Sequence, residues 1–212
     1  MARPRSFDEA QVLHAARERF SSTGYAATSI DEVAAATGLG KGSLYGAFGD
    51  KHQLFLRVFE GYCADISEQV EQTLAGPDAE AFERLRAHVH AVAANTAADI
   101  EHRGCLLARG TSELAGQDPA VAAHALRTFE FLEDLFVACL EKAQRHGDID
   151  PEADPRALAG LLLAVLRGIE ALGKAGKNEA SLRGIAETAL AVLPRTVKPI
   201  PDPERRAPAE TG

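Results

Sequence analysis

The stretch Thr28–Lys51, TSIDEVAAATGLGKGSLYGAFGDK, decides how this chain folds. Ile30, Val33 and Ala34 recur at the period of a helix that buries one face. Ser29 precedes that run and Glu32 stands three residues on, a pair that satisfies free backbone amides at a helix start. Gly38 falls where a helix must end in a residue tolerant of positive φ, and Leu39 then drops into the core. A second helix begins near Gly40 and turns Leu44 and Phe48 inward, leaving Lys41, Gly42, Ser43, Tyr45 and Gly46 on its outer and N-terminal surface. Two short helices across a glycine turn predict a helix-turn-helix, the arrangement that lays its second helix in the DNA major groove.

Working outward, Val12, Leu13, Ala16 and Phe20 predict a first helix opened by Ser6 with Glu9 and ended by Gly24. It packs across the other two to make a three-helix head. Asp50, with Gln53 three residues later, opens a long helix whose apolar stripe runs from Leu54 to Val70 and stops at Gly76-Pro77. Further helices are expected over 79–99, 105–114, 119–146, 155–174 and 179–193, separated by Gly- and Pro-bearing breaks. The fold class is therefore all-α with about nine helices. Residues 1–50 form the head, 51–193 a larger helical domain, and 194–212, with Pro194, Pro199, Pro201, Pro203 and Pro208, a disordered tail.

Composition narrows the function. No apolar stretch reaches the ~18 residues a membrane span needs, and the N-terminus has charges but no apolar core of a secretory signal. Cys63, Cys105 and Cys139 are too few and scattered for a disulfide framework, so a reducing cytoplasm is the expected home. The net charge of −8 looks adverse for a DNA binder, but residues 1–60 hold seven Lys/Arg and seven Asp/Glu. The whole deficit lies in residues 61–212, and the placement of cations matters more for phosphate binding than the sum.

The run from Thr28 to Phe55 closely resembles the N-terminal signature of the tetracycline-repressor-like (TetR) regulators. Thr28, the IxxVAxxxG run of Ile30–Gly38, the Leu44-Tyr45 pair and the F-x-x-K ending at Lys51 carry the resemblance. It covers about the first quarter of the chain and implies a dimeric DNA-binding regulator, with 51–193 as its effector-binding and dimerisation domain. Lys41 and Ser43 then lie where base edges are reached, while Tyr45 and Lys51 are placed against phosphate. Thr28 has two readings, a hydroxyl given to phosphate or a second cap beside Ser29. Arg3 and Arg5 form either a minor-groove arm or a frayed end. Gly46 departs from the family, which often has an aromatic or histidine there, so an operator sequence does not carry over.

The segment LAGLLLAVLRGIEAL, Leu158–Leu172, is apolar around most of its circumference. Leu158, Leu162, Val165, Leu166 and Ile169, with Leu182, Ile185 and Ala189 of the last helix, are expected to close a four-helix bundle between two copies. The alternative is a helix buried in its own domain.

Two effector sites are open. Cys105, within EHRGCLLARG, is placed in a helix first turn beside His102, Arg103 and Arg109, surroundings that lower a thiol pKa. It resembles reactive-cysteine members of the family, which release DNA on attack by an electrophile or oxidant; Lys174 is a possible partner for the modified sulfur. The plain reading of Cys105 is a small buried hydrophobe, as for Cys63 and Cys139. A noncovalent pocket instead draws on Tyr62, Phe82, His88, His124 and Phe129, with Phe131, Phe136, His90 and His102 nearby.

No cofactor is called for. His88 and His90, two apart, point to different helix faces, and no CxxC or HxxxH pair suggests a metal. An enzyme is disfavoured: GLGKGS lacks the preceding strand and the Ser/Thr directly after Lys41 of a phosphate loop, and Ser43 lacks the flanking glycines of a nucleophile elbow. The remaining alternative is a helical protein-interaction adaptor without sequence-specific DNA binding.

Overall fold

The structure, a computed structural model, describes residues 7–196 apart from His102. Arg3, Arg5, Ser6, His102 and residues 197–212 lie outside the described residues. Within them the chain forms nine helices: α1 Glu9–Thr23, α2 Ile30–Thr37, α3 Lys41–Phe48, α4 Lys51–Leu74, α5 Ala81–Ala98, α6 Leu106–Leu114, α7 Pro119–His146, α8 Pro155–Lys174 and α9 Glu179–Ala191. The fold is all-α.

Local chemistry accounts for the first four. Asp8, rather than Ser6, caps α1, its carboxylate accepting from the N–H groups of Ala10 and Gln11. At α2 the capping box is complete: Ser29 Oγ accepts from Glu32 N at 3.2 Å and Glu32 Oε2 from Ser29 N at 2.6 Å. Gly38 closes α2 with φ of 69°. Asp50 caps α4 by accepting from Gln53 N at 2.8 Å.

Val12, Ala16 and Phe20 of α1, Val33 of α2, and Leu44 and Phe48 of α3 bury against Leu54, Phe55 and Val58 of α4. Helix α4 continues past the head for 24 residues in all, about 36 Å, and enters the larger domain, where it packs on α7, α6 and α5. Ion pairs tie the two parts: Arg17 to Asp65 at 2.6 Å, Arg57 to Glu9, and Arg103 to Glu18.

Helix α6 rides directly on α4. A Cβ at Gly110 would sit 2.6 Å from the Phe59 ring and 3.3 Å from Phe55, so only glycine allows this approach. Gly173 of α8 is crowded in the same way by Thr96 of α5.

Helix α8 is amphipathic, not uniformly buried. Leu162, Leu166 and Ile169, with Leu182 of α9, are in the protomer's own core, packed among α5, α7, α8 and α9. These four are therefore not the residues offered to a second copy. The apolar groove left open between α8 and α9 is lined by Leu161, Val165, Ile185, Ala189 and Val192, with Val192 59% exposed; Leu158 is half-buried and not part of that lining. Packing against α5 and α7 decides which side of an all-round apolar helix goes inward, and that partner lies far away in sequence.

Candidate functional site

Helix α3 presents Lys41, Gly42, Ser43, Tyr45 and Gly46 outward, all exposed, with Tyr45 at 46%. A Cβ at Gly42 or Gly46 would meet nothing within 4 Å, so both glycines leave the face open to close approach. Lys41 Nζ is held 2.6 Å from Asp31 Oδ1 of α2, and hydrogen bonding to that carboxylate raises its pKa. Lys51 lies half-buried with Nζ 4.3 Å from the centre of the Tyr25 ring, a cation–π contact that aligns it at the start of α4.

Thr28 is not on this face. It is 1% exposed, and its hydroxyl donates to Gly24 O at 2.6 Å and lies 2.7 Å from the Thr23 hydroxyl. It ties the turn back to the end of α1, which excludes phosphate contact through that hydroxyl; neither of its two sequence readings described this.

In the larger domain a cavity of about 230 Å³ opens between α4, α5, α7 and α8. Tyr62, Ile66, Val70, His88, Val92, Leu132, Phe136, Arg167 and Glu170 are among its walls. Two clefts reach the same region from outside, both lined by Gly104, Cys105, Glu170 and Lys174. Burial, then the charge of Arg167, lowers the His88 pKa to about 4, so its ring is neutral at pH 7. Burial raises the Tyr62 hydroxyl well above its usual range and the Glu170 carboxyl above its own, with Arg167 opposing.

Of the expected pocket residues, Tyr62 and His88 reach this cavity and three do not. Phe82 is buried beneath Arg195, whose guanidinium sits 3.6 Å from the ring centre. His124 Nε2 contacts Glu60 at 2.7 Å, and Phe129 packs half-buried on the core. Neither is among the residues that line the cavity.

Cys105 caps α6 rather than lying in its first turn, and is 7% exposed. Its Sγ lies 3.4 Å from the Tyr62 hydroxyl and 3.4 Å from Arg167 Nη1. Burial, then the charge of Glu170, raises the thiol pKa, with Arg167 and Tyr62 pulling the other way. The lowered pKa expected from sequence neighbours is thus overturned. Arg103 pairs with Glu18 and Glu101, and Arg109 turns to the head. Lys174 does fold inward, its Nζ donating to Arg103 O at 3.4 Å and its side chain lining both clefts with Cys105. Burial, then Arg109, lowers its pKa.

Helix α6 joins the two regions. Arg109 Nη1 donates to Ser21 O at 2.5 Å. Glu113 Oε2 accepts from Tyr25 N at 2.8 Å and, more weakly, Ala26 N at 3.4 Å, while Arg109 Nε and Glu113 Oε1 pair at 3.2 Å. Sequence reading missed this role of Glu113, as well as Arg167 and Glu170. The last two carried a signal, an Arg and a Glu three apart inside an otherwise apolar helix; Glu113 carried none.

These features meet a known pattern. The family profile for bacterial regulatory proteins of the tetR family matches residues 12–58, and that for the tetracyclin repressor-like C-terminal domain matches residues 81–189. The chain belongs to the TetR family of transcriptional regulators. It is 29% identical over 195 residues to the uncharacterized HTH-type regulator YezE of Bacillus subtilis, covering 91% of this chain and 100% of YezE. It is 26% identical over 196 residues to the HTH-type repressor ComR of Escherichia coli, covering 92% and 93%. A cysteine-substituted variant of the regulator CifR, solved with a 26-base-pair double-strand operator, superposes with a TM-score of 0.78 at 25% identity, over 91% of this chain and 100% of that one.

Proposed function

We propose that the protein is an effector-controlled repressor that binds operator DNA as a homodimer. The observation that carries this reading is the open α3 face: Lys41, Ser43 and Tyr45 protrude together, flanked by two side-chain-free glycines and backed by the Lys51–Tyr25 contact. That face suits a major groove, with Lys41 donating to guanine acceptors and Tyr45 and Lys51 to phosphate. The operator-bound CifR variant supports it by likeness of the whole chain.

The second copy is proposed to close the groove of Leu161, Val165, Ile185, Ala189 and Val192, which spaces two α3 helices about one turn of DNA apart. Control runs from the cavity through α6. Occupancy moves the Cys105 end of α6, and Arg109 and Glu113 carry the shift to the α1–α2 turn, so that the head separation no longer fits successive grooves.

Selection of bound duplexes from a random pool, followed by a salt titration of the winner, tests the DNA reading. A steep fall of affinity with salt is expected; no enriched duplex, with dimerisation intact, would favour the adaptor reading instead. A second mode of release, modification of Cys105, is favoured by the position of Sγ beside both clefts and Tyr62. Its test is Cys105→Ser, which should abolish release by a thiol-reactive electrophile and leave noncovalent release in place.

A further inference from the structure

Lys174 is a cation with no acid to match it. It folds inward from the end of α8 and lines both clefts, of about 350 and 340 Å³. Among the described residues no Asp or Glu forms an ion pair with it, and its Nζ makes a single hydrogen bond, to Arg103 O at 3.4 Å. An ammonium carries three N–H donors, so two are left for whatever enters. The acids whose charge reaches it are committed elsewhere. Asp99 accepts from Gly104 N at 2.8 Å, and Glu113 holds Tyr25 N and Arg109. Glu170, which lines both clefts as well, has Arg167 Nη1 at 3.0 Å. Burial and then Arg109 disfavour the charge of Lys174, a penalty that a bound anion relieves. A Cβ at Gly104 would stand 3.4 Å from Lys174 Cδ and 3.9 Å from its Nζ, so the missing side chain there leaves the ammonium uncovered.

An apolar chamber adjoins this cation. Tyr62, Asn95 and Thr96 line both one of the clefts and the α4–α5–α7–α8 cavity. Past them the walls include Ile66, Val70, Val92, Leu132, Phe136 and Leu163. The cavity's volume of about 230 Å³ exceeds the ~150 Å³ that suffices for one benzene ring, so it admits one ring or a short chain. The charge and the apolar walls together select among ligands. An ammonium meets Lys174 as a like charge, an alcohol leaves that charge unmatched, and the second charge of a phosphate monoester faces Asp99 and Glu113.

We infer that Lys174 binds the carboxylate of a small apolar acid, whose hydrocarbon part passes Tyr62, Asn95 and Thr96 into the α4–α5–α7–α8 cavity. This deepens the reading of that cavity as the effector site, but its test does not use DNA. Calorimetric titration and thermal melting of the full chain are run with hexanoate, octanoate and 3-phenylpropionate, and with acetate, 1-octanol, octylamine and octyl phosphate as controls. At least one of the three acids should bind and raise Tm, each control should bind at least tenfold more weakly than the best acid, and added salt should weaken that acid. A failure of all three acids overturns the inference, as does any control binding as tightly as the best acid, or an acid affinity indifferent to salt.

Lys174→Met keeps the length of the side chain and removes the charge, so affinity for the best acid should fall at least tenfold, whereas Lys174→Arg should hold it within about threefold. Unchanged acid binding by Lys174→Met, or equal losses in both variants when both melt normally, also overturns the inference. Acid binding with no change in operator affinity upholds the anion site and removes the effector reading.

Discussion

Glu113, on α6 of the larger domain, accepts a hydrogen bond from the backbone N–H of Tyr25 in the DNA head at 2.8 Å. The two residues are 88 apart in sequence. The residue between Tyr25 and α1 is Gly24, with φ of 85°, and a Cβ there would lie 2.2 Å from Glu113 Oε1. The turn is thus shaped to receive that carboxylate, which satisfies an N–H that the end of α1 leaves without a helical partner.

Removing the carboxylate tests the link. Glu113→Ala should lower stability by about 1–3 kcal/mol, the usual cost of leaving a part-buried donor unpaired, and should blunt release of DNA by any effector. Gly24→Ala should cost about 1–3 kcal/mol through strain at positive φ alone, and more through collision with Glu113. In the double variant the collision is gone and the strain remains, so the two effects should sum to less than their separate values. Urea unfolding of the four proteins measures the cycle; simple additivity would mean that the two residues do not meet in solution.

Lys41 and Asp31 should act on DNA in opposite directions. Lys41→Ala is expected to weaken operator binding ~10- to 100-fold and to reduce the salt slope or the base preference, according to whether it meets phosphate or guanine. Asp31→Asn frees the lysine from its 2.6 Å partner and should strengthen binding. Fluorescence anisotropy at several salt concentrations separates these outcomes.

The two sides of α8 and α9 should also part company. Ile185→Glu, in the open groove, should dissociate the proposed dimer while each protomer stays folded, as read by sedimentation together with helical circular dichroism. Leu166→Ala, at a position 1% exposed in the protomer core, should instead cost about 2–5 kcal/mol of protomer stability.

His88 sets a pH dependence. Its folded pKa of about 4 lies below its ordinary 6.5, so the unfolded chain takes up a proton first as pH falls. Stability should therefore be complete above about pH 6.5 and decline towards pH 4, by about 2–3 kcal/mol from this residue. Glu170, whose folded pKa is raised, works in the opposite sense, favouring the folded state as pH falls through its own titration. The difference in denaturant midpoint between the natural protein and His88→Asn, followed from pH 7 to 4, isolates the histidine; a flat difference would refute its burial as a neutral ring.

The head was legible because its signals are local. Ser29 with Glu32, Gly38, and Asp50 with Gln53 each act within a few residues, and all three stand in the structure as the sequence predicts. The larger domain was legible as helices but not as a site. Neighbours in sequence of Cys105 proved to be neighbours of Glu18 and Ser21, while its neighbours in space, Tyr62 and Arg167, lie 43 and 62 residues away. The period of α8 told that it is apolar, not which side meets α5. Thr28 illustrates the same limit at short range: its hydroxyl chose the Gly24 carbonyl, four residues back, over solvent.

The missing side chain at Gly110 has a mechanical consequence. With backbone seated against the Phe55 and Phe59 rings, which are themselves stacked 5.6 Å apart, α6 has no compressible cushion on that side. A push at its Cys105 end must either slide the short helix lengthwise or displace both rings. Phe55 also touches Phe20 and Tyr25 edge-on, so a nudge of either kind is felt inside the head within the span of one aromatic stack. Even a methyl at that position would act as a spacer, and α6 would lift away from both rings.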